Sequence, residues 1–193
     1  MKTIKAVVQT EIITSDDGSN TYEVIKKLNG IDGDCAYLIS LYPTRNESNI
    51  YANDSTLNHL VSHLADIGIN ELHIVNLFSK VVNTRLSSRG LKVDEDNMKY
   101  IDKVMHSKKF KDSQFIIAWG NSMKSSHAVN LSKERVLSMY HNLYPDGNLY
   151  QLCVADKNIK EVAPHPLYLG IQAKYLRWSL SDFIQQTNTI RQK

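Results

Sequence analysis

Apolar and polar positions alternate along Ile4–Thr14, break at SDDGSN (15–20), and resume with β-favouring residues over Thr21–Leu28. A period of two on both sides of a turn-rich segment predicts a β-hairpin. NGIDGD (29–34) is a second break. From Cys35 the pattern changes to short, nearly continuous apolar runs: CAYLISLY (35–42), ELHIVNLF (71–78), SQFIIAWG (113–120) and NLYQLCVA (148–155). Such runs predict strands covered on both faces. The segments between them have helical spacing. Leu57, Leu60, Val61 and Leu64 define a helix over 56–67, with Asp54 or Ser55 as its cap. Helices are also predicted over 94–105 and 131–143, the second turning Leu131, Val136, Met139, Tyr140 and Leu143 inward. Gln172–Thr187 reads as a closing helix with Leu176, Leu180 and Phe183 inward.

Alternation of strand and helix at this spacing predicts an α/β architecture. The expectation is a three-layer αβα sandwich around a central, mostly parallel four-stranded sheet. The hairpin (1–34) reads as an N-terminal extension and 35–193 as the main domain. In such sheets a site lies outside the carboxyl ends of the strands. That rule selects LYPT (41–44), NLFS (76–79), WGNS (119–122) and PHPLYL (164–169).

Composition adds limits. The 193 residues are 42% apolar and 22% charged, ordinary for a globular chain. No apolar run reaches the ~20 residues of a membrane span, and the N-terminus lacks the apolar block of a signal peptide. Cys35 and Cys153 sit in apolar stretches and read as small buried hydrophobes, consistent with a reducing cytoplasm. His59 and His63 are four apart on a helix but have no third ligand at metal spacing, so neither a metal nor a cofactor is expected. Net charge is +3, but unevenly spread. Residues 1–96 hold 9 Lys/Arg against 13 Asp/Glu, and residues 97–193 hold 14 against 7. The basic excess, including Lys108, Lys109 and Lys111, is a candidate phosphate-binding surface. A solvated helix face is the alternative.

The strand ends carry the candidate chemistry. Pro43 stops the first core strand. Asn76 ends the second; its amide can read both donors and acceptors on the edge of a base. Gly120, after Trp119, permits close approach of a partner. Asn121 or Ser122 could cap a following turn and leave N–H groups for an anion. His165 is held between Pro164 and Pro166, and a neutral imidazole can donate to an oxygen that gains charge. Leu167 and Tyr168 form an apolar tip that could wedge into stacked bases.

LYPT (41–44), DST (54–56), NLF (76–78), AWG (118–120) and HPLYL (165–169) resemble the motifs of a bacterial and phage family without an assigned activity. The likeness covers about residues 35–180. More distantly, Pro43, Asn76, Trp119-Gly120 and His165-Pro166 are similar in order to the strand-end motifs of the uracil-DNA glycosylase superfamily. That resemblance implies a glycosylase-like fold and a base flipped from DNA into a pocket. Tyr42, Pro43, Asn76 and Phe78 would line the pocket, and His165 would steady charge on the departing base. Gly120, Asn121, Ser122, Leu167 and Tyr168 would meet the DNA, together with the lysine cluster.

One position departs from the pattern. The superfamily places Asp or Asn before the loop proline to position or activate water, and this chain has Tyr42. A phenol of pKa about 10 is a poor base near neutrality. Losing an activating group removes on the order of 10²–10⁴ in rate. The expectation is a DNA- or base-binding protein with little or no uracil excision. Two alternatives stand beside it. One is an active glycosylase or nucleotide-processing enzyme acting on a modified base through His165 and Asn76, with Asp54 or Glu47 from the first loop as candidate substitute carboxylates. The other is a protein-interaction decoy for a glycosylase inhibitor, or an accessory to replication or recombination. The partner implied is single- or double-stranded DNA, not a membrane.

Overall fold

The structure is a computed structural model that describes residues 1–44, 50–82 and 87–184. Seven strands form one mixed sheet: β1 (Val7–Thr14), β2 (Thr21–Asn29), β3 (Asp34–Ser40), β4 (Ile69–Asn76), β5 (Gln114–Ile117), β6 (Leu149–Val154) and β7 (Trp178–Asp182). Their order across the sheet is β1-β2-β4-β3-β5-β6-β7. β4, β3, β5 and β6 are mutually parallel, whereas β1, β2 and β7 join antiparallel. The expected four-stranded sheet is therefore too small. The hairpin is not detached from it, because β2 pairs directly with β4 from Glu23↔Val75 to Lys27↔Glu71.

Five α-helices accompany the sheet: α1 (Ser55–His63), α2 (Glu95–Met105), α3 (Lys108–Lys111), α4 (His127–Leu143) and α5 (Pro166–Gln172). Short polar residues start most of them. Asp54 accepts from Leu57 N, Asp94 from Asn97 N, Ser107 from Phe110 N and Ser126 from Val129 N. Each bond satisfies an N–H that the first helical turn would leave without a partner. Asn121 and Ser122 do not cap a helix, since α4 begins later, behind Ser126.

The period of two along β3 divides the core. Ala36 and Leu38 face Leu57 and Leu60 of α1, Leu169 of α5, and Trp178. Tyr37 and Ile39 face Met98 and Met105 of α2, Phe110 of α3, and Val136 and Tyr140 of α4. A strand buried on both faces has no polar side to show, hence its unbroken apolar run.

In place of the closing helix expected over 172–187, Gln172 ends α5, a turn follows, and residues 178–182 form a strand; residues 185–187 lie outside the described residues. Leu176 is largely exposed rather than inward. WSLSD also alternates strictly, placing Trp178 and Leu180 on one face and Ser179 and Ser181 on the other. Both periods fit this short stretch, and pairing with the free edge of β6 decides it. Trp178 then has no solvent exposure. It stacks on His63 at 4.2 Å between ring centroids and donates its indole N–H to Ala173 O at 3.3 Å. Trp178→Ala should cost about 3–5 kcal/mol, read as a lowered midpoint in urea unfolding.

Candidate functional site

The chain leaves β3 for α1, crosses back over β3 through β4 and α2, and enters β5 on the other side. The connections from β3 and β5 thus depart to opposite faces, and a crevice opens at their carboxyl ends. A cavity of about 210 Å³ lies there. Ser40, Tyr42 and Pro43 line it from the end of β3, Asn76 from β4, Trp119 and Ser122 from beyond β5, Asp54 from α1, and His165 and Leu167 from α5. It is smaller than the roughly 300–1,000 Å³ of drug-sized ligand sites, so it suits one ring system rather than an extended ligand.

Of the residues singled out by sequence, Tyr42, Pro43, Asp54, Asn76, Ser122, His165 and Leu167 converge on this cavity. Phe78 does not: it is buried against the α2–α4 side of the sheet, because it lies beyond the strand end where the chain turns into that core. Gly120 and Asn121 do not line the cavity; their backbone N–H groups bond Ala163 and Glu161 of the loop before His165. Tyr168 is exposed on α5 beside Leu167. Lys108, Lys109 and Lys111 lie at the other end of the sheet. Lys109 pairs with Glu71, five residues before Asn76 on β4, and at ~3.3 Å per residue that is roughly 17 Å away. Glu47 lies outside the described residues.

His165 is held with defined polarity. Its Nδ1 accepts the backbone N–H of Leu167 at 3.2 Å, capping α5, and Pro166 supplies a first helical residue that needs no N–H partner. An N–H can only donate, so the ring proton of the neutral imidazole is on Nε2. Nε2 lies 3.1 Å from Ser40 Oγ, toward which it donates. This tautomer cannot take a proton from Ser40, so the pair is not a nucleophile with its base. It is a neutral N–H donor, with a serine hydroxyl proton left to point into the cavity. Burial lowers the His165 pKa to about 4, against an opposing pull from the Asp54 charge.

The loop before His165 is tied down. Gly120 N donates to Ala163 O at 2.8 Å, Asn121 N to Glu161 Oε1 at 3.0 Å, and Ala163 N to Gln151 Oε1 at 2.8 Å. Gly120 adopts φ +66°, and a Cβ there would stand 2.9 Å from His165 Cβ. Glycine is needed for both reasons.

Asn76 is buried, and its backbone oxygen accepts from Asn97 Nδ2 of α2 at 2.7 Å. Its side-chain amide makes no hydrogen bond among the described residues and faces the cavity. Asp54 is already engaged: Oδ1 accepts from Leu57 N at 2.8 Å, and Oδ2 accepts from the Thr44 hydroxyl.

Three polar residues near the cavity escaped the sequence reading. Ser40 ends β3 on the same face as Leu38, and its break in an apolar run was the available signal. Lys26 is buried and donates to Asn53 Oδ1 at 2.7 Å and Thr10 Oγ1 at 2.8 Å. Burial lowers its pKa, opposed by the Asp54 charge. Lys133 stands over the Trp119 ring at 5.2 Å and donates to Gly120 O at 3.3 Å. Burial, then repulsion from Lys124, lowers its pKa to about 8. These cations come from distant segments, so no local pattern announces them.

Fold and site together define an α/β protein with a small, polar-tipped crevice at the carboxyl edge of a parallel strand block. The chain belongs to the family described as "Protein of unknown function (DUF1643)", whose model matches residues 24–167. No curated protein and no solved structure matched the chain. The matched span runs from β2 to the start of α5 and includes every residue lining the cavity. Among the described residues no helix is long and apolar enough to cross a membrane.

The depressed pKa of His165 has a pH consequence. An unfolded histidine titrates near 6.5, so between about pH 6.5 and pH 4 the unfolded chain binds the extra proton. The contribution of His165 to stability is complete above pH 6.5 and is lost as pH falls toward 4, by on the order of 2–3 kcal/mol. Urea unfolding across this range should show that slope, and His165→Gln should flatten it. An imidazole titrating near 6.5 by NMR would contradict the assignment.

Proposed function

We propose that this protein holds a single nucleobase, turned out of DNA, in the crevice, and that it cleaves the glycosidic bond of uracil little or not at all. The observation that carries the reading is the convergence of the Asn76 amide and the Ser40 hydroxyl, the latter held by the His165 Nε2–H donor, on one ring-sized cavity. An amide reads a base edge through paired donor and acceptor, and a hydroxyl that accepts from His165 keeps its own proton for a base carbonyl. Tyr42 and Trp119 offer aromatic surface beside them. This function rests on the distant likeness to uracil-DNA glycosylases together with these contacts.

Binding is favoured over catalysis by what stands where a water-activating group is needed. Tyr42 is a phenol, and both oxygens of Asp54 already accept hydrogen bonds from its own helix and loop. These bonds orient the carboxylate toward its own helix and loop. The second reading, cleavage of a modified base, keeps one observation in its favour: Asp54 lines the same cavity as His165.

The proposed DNA-facing surface surrounds the cavity mouth. Leu167 and Tyr168 are 36% and 40% exposed, and Ile171 beyond them is 71% exposed. An apolar tip beside a base pocket can fill the gap that a flipped base leaves. Lys124 and Lys133 follow β5 on this side and replace the distant lysine cluster as phosphate contacts.

Fluorescence anisotropy with labelled duplex and single-stranded DNA, at two salt concentrations, tests the reading. Affinity should fall as salt rises, because phosphate contacts release counterions. Asn76→Ala and His165→Ala should each weaken binding about tenfold, the value of one good hydrogen-bonded contact. Joint neutralisation of Lys124 and Lys133 should weaken it and lower the salt slope, while neutralising Lys108, Lys109 and Lys111 should leave it unchanged. Release of free uracil from uracil-containing DNA at ordinary enzyme concentrations would remove the binding-only reading.

A further inference from the structure

The amino-terminal end of the parallel strands carries a second polar cluster, separate from the crevice. Cys35 of β3 is the cross-strand partner of Glu71 of β4, and Tyr37 is the partner of His73. The period of two puts Cys35, Glu71 and His73 on one face. One Cys35 sulfur, one Glu71 oxygen and one His73 nitrogen lie within 4.8 Å of one another. The three residues supply a soft, a borderline and a hard donor from rigid neighbouring strands.

The imidazole is aimed by its surroundings. His73 Nδ1 lies 2.5 Å from Oε1 of Glu23, a buried carboxylate on β2 that also accepts from the Tyr100 hydroxyl. The Tyr37 ring stacks on the imidazole at 4.4 Å. Nδ1 is therefore committed to Glu23, and Nε2 faces Glu71 Oε1 at 3.2 Å. A carboxylate on one imidazole nitrogen with the other turned toward further donors is the arrangement that orients histidine ligands in metal sites.

We propose that Cys35, Glu71 and His73 bind one zinc-like divalent cation, with Glu23 orienting the histidine. Thiolate, imidazole and carboxylate together select zinc over magnesium or calcium, which take oxygen donors. Three protein ligands leave a fourth, tetrahedral position for water. Access comes from an adjoining cavity of about 230 Å³, lined by Gln9, Glu11, Ile25, Lys27, Glu71 and Lys109. Charge is conserved on binding. The cation brings two positive charges, and one proton leaves the Cys35 thiol while another leaves the His73 imidazolium.

One group competes. Lys109 Nζ is 2.5 Å from Glu71 Oε1, and Lys27 Nζ is 3.5 Å from Glu71 Oε2. Lys109 is about half exposed on the short α3 and can swing into solvent. Its removal should therefore strengthen metal binding, opposite to the effect expected if it only stabilised the fold.

Full-length protein freed of metal with a chelator would be titrated with Co²⁺ and with Zn²⁺. The expected results are one ion per chain, a cobalt–thiolate charge-transfer absorption band, and displacement of Co²⁺ by Zn²⁺. Cys35→Ser should abolish the band and weaken binding at least tenfold, with circular dichroism confirming the fold. Lys109→Ala should tighten binding several-fold. His59→Ala, on α1 across the sheet, should change neither. Absence of stoichiometric binding in both the parent protein and Lys109→Ala would overturn the proposal, as would a band that persists in Cys35→Ser.

Discussion

A parallel strand that sends its chain to one face of a sheet while its neighbour sends its chain to the other cannot close the gap between the two exits. β3 and β5 stand in that relation, and the order β4-β3-β5 makes it unavoidable. The polar ends of four strands converge there because topology brings them together. Ser40, Asn76, Trp119 and His165 come from four separate segments and meet only around this opening. The rigidity of the opening follows from the strands on one side and a bonded loop on the other. The bonds from Gly120, Asn121 and Ala163 tie the His165 loop to the strand ends beside it.

Two histidines show how one side chain is set to opposite ends of its range by its surroundings. His165 loses hydration and gains only a backbone N–H and a hydroxyl as neighbours, so burial prevails and it stays neutral. His73 is also buried, which by itself would lower its pKa. Hydrogen bonds with Cys35 and with the carboxylate of Glu23 outweigh that loss, and its pKa rises to about 9. The neutral ring is a donor of fixed direction at the carboxyl end of the sheet. The charged ring belongs to an ionic cluster at the amino end. The first serves the proposed base pocket and the second the proposed cation site, and neither depends on the other.

The polar groups of the crevice also define what it lacks. Asp54 caps α1 and anchors Thr44, and the Ser40–His165 pair has its proton on the wrong nitrogen for nucleophilic attack. The Asn76 amide and the Ser40 hydroxyl face the cavity. This chemistry supports the proposed binding reading, which also rests on the distant family likeness.

Much of this molecule was legible from the order of its residues. Buried strands announce themselves as continuous apolar runs because both faces must be dry, and β3 and β4 were visible for that reason. One helix start was visible at Asp54 or Ser55 because an N–H without a partner demands a nearby acceptor, and Asp54 fills that role. The rule that ligands sit at strand ends then named Tyr42, Asn76 and His165 before any coordinate did. Tertiary structure alone decided the rest. WSLSD satisfied two periodicities, and only the vacant edge of β6 chose the strand. Lys109 was basic in sequence but met Glu71 at the far end of the sheet, and Lys133 became a crevice residue by lying over Trp119. Local patterns record what each segment needs from water and from its own backbone. Which segments then share a cavity or an ion pair is set by strand order, a property of the whole chain that no short window contains.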